Sequence, residues 1–242
     1  MFTIIQGNAY GRHAVLLDEM FRLRKRVFAD RLGWDVPVRG AHEQDAYDRL
    51  GPAYLVWCDA GMSVLYGSAR LMPTTHPTLL FDTFGRTMPP EAHLAAPGIW
   101  ECTRLCVNEA AVTAHDLCLS TRDAFRTMLV ALCETALAHG IHTIVSNYEP
   151  HVMRLYRSAG AMVDEVGRAD GYGRRPVCCG LFETSERSLA AMRQAVGIGG
   201  RLVTLPRHSD AAARRRQGAA ASGTMDSWIA PVAPEDAAGR HP

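Results

Sequence analysis

The chain has 242 residues, 48% of them hydrophobic, and carries 26 basic against 25 acidic residues. That length and composition suit one sizeable domain plus an extension, and the near-balanced charge excludes a global field that would draw in nucleic acid or an anionic membrane. No apolar run approaches the ~20 residues that span a bilayer, and the start lacks a signal-peptide pattern, so the seven cysteines are expected as buried thiols of a cytoplasmic protein rather than as a disulfide framework.

Residues 3–5 predict a short first strand, after which Leu16, Leu17, Met20, Phe21, Leu23, Val27 and Phe28 recur at helical spacing to about residue 32. Residues 33–52 are rich in Gly, Pro and Asp and fit no regular element; connections of that length inside a domain are usually functional or mobile. Residues 53–59 and 62–72 read as two strands joined by an Ala60-Gly61 turn, with Pro73 ending the second. A short helical patch at 79–84 and a Pro-rich loop lead to a third long strand, 98–107, and then to a helix over 121–139 closed by Gly140. A strand at 141–148, a helix at 151–159 stopped by Gly160, strands at 162–166 and 177–184, and a last helix at 185–196 complete an α/β alternation, antiparallel first and with a strand, helix, strand crossover later. Past about Leu205 the composition turns to Ala, Arg, Pro, Gly and Ser, which predicts a domain over 1–204 and a disordered tail over 205–242.

Several chemistries are excluded early. Cys102 and Cys106, like Cys178 and Cys179, lie in strand-like runs without the paired CxxC and histidine spacings of a zinc site, so no metal is expected. Lys25 is the only lysine and lies between Arg24 and Arg26, as on a solvated basic helix face, which gives a Schiff-base mechanism little support. No first strand runs into a GxGxxG turn, and Gly197, Gly199 and Gly200 follow the last helix, so a methyltransferase is dismissed.

What remains is a set concentrated in the first half: Arg24, Phe28, Trp34, Asp45, Asp48, Arg70, Phe84, Glu101 and Arg104. Two nearby acids, three guanidinium groups and three aromatic rings suit a small zwitterion with a cationic centre, which aromatic faces and carboxylates attract. Arg24 and Phe28 are four apart on the predicted helix and share a face. Asp45 and Asp48 either face that cation or pair with Arg24 or Arg70 and order the loop, and both can hold together. Arg70 lies mid-strand, where an unpaired guanidinium is costly, so Glu101 on the next long strand is its expected partner. Strict alternation would point Glu101 and Arg104 to opposite faces. For both to line one cleft, the strand must bulge or splay, as strands do beside active sites.

The stretches LRKRVFADRLGWDVPV, EQDAYD, YGSARLMPTTHPTLLFDTF and IWECTRLCV are similar, in identity and order, to the acyl-homoserine-lactone synthases, the autoinducer synthases of bacterial quorum sensing. The resemblance covers about residues 2–195. It implies a GNAT-like three-layer α-β-α fold with a mixed, mostly antiparallel sheet splayed at its centre, and an acyltransferase with S-adenosylmethionine as acceptor substrate and no cofactor. Arg24, Phe28, Trp34, Asp45, Asp48 and Arg104 would hold that substrate, with Glu101, Arg70 and Arg104 catalytic and Glu101 the candidate base. The acyl pocket would take Phe84, Met128, Leu132 and Ser146. The family's usual donor is an acyl carrier protein, to which Arg122, Arg126, Arg154 and Arg157 would offer a basic patch. The run NEAAVTAHDLCLSTRD after the Glu101 strand has no Gly-rich pyrophosphate loop, which favours that donor over coenzyme A, although some relatives use acyl-CoA. The rivals are a GNAT N-acyltransferase acting on another amine and a degenerate, non-enzymatic member.

Overall fold

The computed structural model describes residues 1–204; the predicted disordered tail lies outside the described residues. In chain order these form strand β1 (Phe2–Ile5), helix α1 (Ala14–Arg24), the two-residue strands β2 (Val38–Arg39) and β3 (His42–Glu43), strands β4 (Ala53–Cys58) and β5 (Leu65–Pro73) and the one-turn helix α2 (Leu79–Asp82). Strand β6 (Ile99–Val107), helices α3 (Glu109–Ala114) and α4 (Thr121–Ala138), strand β7 (Thr143–Tyr148), helix α5 (Met153–Ser158), strands β8 (Val163–Ala169) and β9 (Val177–Glu183) and helix α6 (Glu186–Val196) complete the chain order.

Seven strands make one sheet in the order β1, β4, β5, β6, β7, β9, β8. Every neighbouring pair is antiparallel except β6 and β7, and that pair is joined by a crossover through α3 and α4, as parallel neighbours require. Strand β4 is buried at every position. Its Tyr54, Val56 and Cys58 pack with Leu16, Met20 and Phe28 of the α1 side, whereas Ala53, Leu55 and Trp57 pack with Met128 and Ala131 of α4. A strand covered on both faces reads as a continuous apolar run, and the result is the expected three layers.

Helix ends follow their caps. Ser120 accepts a hydrogen bond from the Asp123 N–H at the start of α4, and Ser185 does the same for Ser188 in α6. Gly197 closes α6 with φ 78°, a left-handed conformation that glycine adopts without steric penalty. Helix α1 continues as a π-helical stretch, Lys25–Arg31. The expected Ala60-Gly61 turn is a longer one instead: the Asp59 carboxylate accepts from the backbone N–H groups of Gly61, Ser63 and Val64, so the second strand begins at Leu65. Pro73 is the last paired residue of β5, opposite Trp100.

Two irregularities interrupt the centre of the sheet. Strands β6 and β7 pair only over Ile99 to Glu101 with Thr143 to Val145 and then part, β6 staying with β5 and β7 with β9. Across the β5–β6 ladder, Ser68 faces Cys106 but Arg70 already faces Thr103, so Arg104 and Leu105 stand opposite the single residue Ala69. Arg104 has φ 55°. This is the bulge that the spacing of Glu101 and Arg104 required.

Candidate functional site

Residues 33–52, which fit no regular element in sequence, contain the β2–β3 hairpin and a 3-10 turn over Ala46–Leu50. The turn is capped reciprocally, Asp45 accepting from the Tyr47 N–H and Asp48 from the Asp45 N–H. His42 at the hairpin contacts Asp18 of α1 at 2.7 Å. The segment therefore lies against the α1 face with three acids, Glu43, Asp45 and Asp48, turned inward.

Those acids meet three arginines in a closed circuit. Arg24 donates from Nε to Glu43 (2.6 Å) and from Nη1 and Nη2 to the two oxygens of Asp48 (2.8 and 2.9 Å). Glu43 also accepts from Arg104 Nε and Nη2, and Arg104 Nη2 donates on to Asp45 (3.0 Å). Arg70 Nη1 joins Asp45 (2.5 Å) to Asp48 (3.1 Å), which returns the circuit to Arg24. Positive and negative groups alternate around it, and the six charges cancel. Each member is buried to 9% side-chain exposure or less, so solvent screening does little to weaken the pairs. Burial pushes the Asp48 and Glu43 carboxyls up, but the arginines beside each outweigh it and hold both below the ordinary carboxylate range.

Asp48 accepts five hydrogen bonds, from Arg24 twice and from Arg70, Tyr54 and the Asp45 N–H. A carboxylate has about four lone-pair directions, so Asp48 has none to offer a ligand. Of the two alternatives for this acid, the structure has the pairing one. Arg24 is likewise committed to Glu43 and Asp48.

Glu101 stands outside the circuit. Its expected pairing with Arg70 is not made: Arg70 turns to Asp45 and Asp48 and donates from Nε to Thr103 (3.0 Å), because two carboxylates reach it from the loop. Glu101 Oε1 accepts from the Leu80 N–H (2.5 Å), while Glu101 Oε2 and Arg70 Nη2 have no partner among the described residues. The Glu101 carboxyl is raised to about 7, by burial, against the lowering effects of the Leu80 hydrogen bond and the Arg70 charge. It lies at the last paired position of β6, where β7 departs.

The aromatic residues fall in two places. Phe28 and Trp34 stack at 5.3 Å, and the Arg104 guanidinium lies over Phe28 at 5.5 Å. Trp34 is 39% exposed, which corrects any assignment of it to the core. Phe84 packs instead against Tyr172, ring centroids 5.0 Å apart and the planes tilted by 59°.

On the opposite face of the sheet, a cavity of about 40 Å³ lies between α4 and the parting strands. Leu132 and Ser146 line it, as expected, but Met128 and Phe84 do not. Met128 packs into β5, where even a Cβ on Gly67 would come within 3.0 Å of its sulfur. Ser146 Oγ donates to the Cys102 carbonyl (2.9 Å), bridging the two strands. Of the expected basic patch, Arg122, Arg154 and Arg157 are exposed, whereas Arg126 is held by Asp123 and the Ala195 carbonyl.

Three residues of the site were not singled out in sequence. Glu43 stands two before Asp45 within EQDAYD, and an acid alternating with an acid in an extended segment was the available signal. Tyr54 and Thr103 carried none. Among the described residues no group of histidine, cysteine and acidic side chains suits a metal, and no helix is long and apolar enough to cross a membrane. Six cysteines are buried and Cys118 is exposed.

A family model described as autoinducer synthase matches residues 8–192. An acyl-homoserine-lactone synthase of Rhizobium etli is 40% identical over 144 residues, 59% of this chain and 66% of that protein. One from Ralstonia nicotianae is 32% identical over 79% of this chain and 93% of its own length. Among solved structures, the synthase LasI covers 85% of this chain and 98% of its own at 28% identity, with a TM-score of 0.68. The CoA-dependent synthase BjaI covers 90% and 99% at 22% identity, with a TM-score of 0.73, and is alike in fold.

Proposed function

The chain belongs to the autoinducer synthase family of acyltransferases, and from that premise we propose that it acylates the α-amine of S-adenosylmethionine from a thioester and then closes the lactone. The observation that carries this reading is the buried carboxyl of Glu101, left without an ion-pair partner among the described residues and outside a neutral charge circuit at the point where two strands part.

Because the circuit is neutral, the local charge of the site is that of Glu101. S-adenosylmethionine brings a carboxylate, an ammonium and a sulfonium, a net positive charge. A cation seated about 4 Å away in a medium of effective dielectric near 20 interacts with a carboxylate by about 4 kcal/mol, enough to ionise a carboxyl whose resting pKa is about 7. Substrate binding thus completes the ionisation of a base that is about half ionised at pH 7. A free α-ammonium has a pKa of about 7.7–8.0, so Glu101 takes its proton directly or through a water and frees the amine for attack on the thioester carbonyl; the amide forms as the carbon–sulfur bond breaks, and the donor leaves as a thiol carrying the amine's remaining displaced proton. Arg70 Nη2, buried and unpartnered, suits the substrate carboxylate, and the Phe28–Trp34 pair suits the sulfonium.

In the second step that carboxylate attacks the γ-carbon of the same molecule. The five-membered ring closes, and methylthioadenosine leaves as a neutral thioether that needs no general acid. Here the circuit contributes orientation, since its hydrogen bonds fix Arg70 and Arg104 before the substrate arrives. No cofactor enters either step. The exposed Arg122, Arg154 and Arg157 favour an acyl carrier protein as donor, and a cytoplasmic location follows from that partner.

The test is to mix the protein with S-adenosylmethionine and acyl thioesters of both kinds, following methylthioadenosine release and the lactone mass. Glu101→Gln should lose about 100- to 10,000-fold in kcat with S-adenosylmethionine affinity retained by calorimetry. A near-normal rate in that variant removes the base assignment; absence of S-adenosylmethionine binding to the wild type removes the function.

A further inference from the structure

The cavity behind the parting strands holds about 40 Å³, and its walls differ in stiffness. Met162 and Met192 are flexible side chains that can give way. Tyr156 is not free to do so. It is buried, and its ring is gripped edge-on by Phe182 at 4.7 Å and by Tyr148 at 5.1 Å, with Phe125 at 6.1 Å. Such aromatic contacts each resist rotation of the ring. Its hydroxyl lies against Ser146, which partly offsets the upward push that burial gives its ionisation, so the phenol stands beside Cys102 and Ser146, the two residues that bridge β6 and β7 where they part.

Resting on the function proposed above, we propose that Tyr156 is a specificity-determining residue, a rigid wall that restricts this enzyme to short acyl chains. A six-carbon benzene needs a cavity of about 150 Å³, so a space of about 40 Å³ takes about two carbons. With the carbonyl and its neighbour held in the cleft outside, the preferred donor carries about four carbons. Replacing the phenol by a methyl group opens a hole of about benzene size, ~150 Å³, which admits about six carbons more.

The experiment offers the full-length protein S-adenosylmethionine with straight-chain acyl thioesters of four to twelve carbons, each on carrier protein and on coenzyme A, and reads kcat/KM and lactone mass. The wild type should favour the four-carbon over the ten-carbon donor by about tenfold or more, a factor that overpacking against an unyielding wall commonly brings. Tyr156→Ala should move the optimum toward ten carbons, Tyr156→Leu should move it part of the way, and Tyr156→Phe should leave it in place. Equal use of four- and ten-carbon donors by the wild type overturns the proposal without any variant. An unchanged profile in folded Tyr156→Ala also overturns it, as does one in Tyr156→Leu if the alanine variant does not fold. If no donor of any length gives lactone while S-adenosylmethionine still binds, the functional reading itself fails, an outcome separate from a wrong chain length.

Discussion

Replacing Glu43 by glutamine tests whether the charge circuit holds the N-terminal loop to the sheet. Glu43 is fully buried and accepts from Arg24 Nε and from Arg104 Nε and Nη2. Glutamine keeps the shape but turns an NH₂ group toward one of the two guanidiniums, donor against donor, and leaves the circuit with one uncompensated positive charge. Breaking a buried pair by removing one partner costs about 3–5 kcal/mol. With side-chain exposure of 0% for Glu43 and 9% for Arg104, no discount for solvent screening applies. For a domain of this size the loss corresponds to a fall in Tm of roughly 6–20 °C. Urea unfolding of Glu43→Gln should show a lower midpoint with an unchanged slope if the loop unfolds with the domain, and a double-mutant cycle with Arg104→Met should return a coupling of about 1 kcal/mol or more. A loss below about 1 kcal/mol, the range of exposed ion pairs, would refute the claim that the circuit is a buried frame.

Glu101→Gln should raise stability while it abolishes activity. A carboxyl whose pKa rises on folding, here from 4.5 to about 7, binds its proton more tightly in the native state. Its contribution therefore falls as pH climbs between those values, by about 3 kcal/mol in all, and stays reduced above about pH 7; thermal unfolding at about pH 5 and about pH 8 should show the glutamine variant gaining only at the higher pH. For Asp48 and Glu43, held below the ordinary range, the sign reverses: their stabilisation is full above about pH 5 and fades as acid protonates them, which acid unfolding followed by circular dichroism will report. Tyr54→Phe removes a 2.7 Å hydrogen bond to Asp48 and should cost about 1.5–3 kcal/mol in denaturant unfolding, as bonds to charged groups do. Trp34→Ala should weaken S-adenosylmethionine binding about tenfold by calorimetry, the worth of a partly desolvated cation–π contact, with little change in Tm because Trp34 is 39% exposed.

The layers of the fold were legible because their signals are local: β4 reads as one apolar run, and α4 and α6 begin at Ser120 and Ser185 and end near glycines. The bulge at Arg104 was legible too, because two functional residues three apart on a strand cannot otherwise share a face. What the residues did not reveal was who pairs with whom. Arg70 and Glu101 are near neighbours across a ladder, yet Arg70 is claimed by loop acids 22 and 25 residues earlier, and no periodic pattern in residues 33–52 tells where that loop lands. The same long-range packing hid which residues line the cavity behind the parting strands. Met128 sits on the helix that walls it, but the absent side chain of Gly67 draws Met128 into the sheet, whereas Leu129, Leu132 and Cys133 turn to the cavity.

That three arginines should surround the proposed site for a cationic substrate looks paradoxical until the charges are paired. Three acids from one loop cancel them, so the guanidiniums contribute fixed donors rather than a repelling field. Arg70 keeps the two N–H donors of its Nη2 unspent among the described residues, enough for a single carboxylate. Glu101, denied a counter-ion by that same pairing, stays partly protonated at neutral pH and is held ionised once a cation arrives. The loop thus does two things with one set of hydrogen bonds: it neutralises the arginines, and by occupying them it leaves the one acid beside the parting strands able to act as a base. Any substitution that frees Arg70 from Asp45 should therefore let it pair with Glu101, lower that carboxyl, and slow proton removal even with every other residue of the site in place.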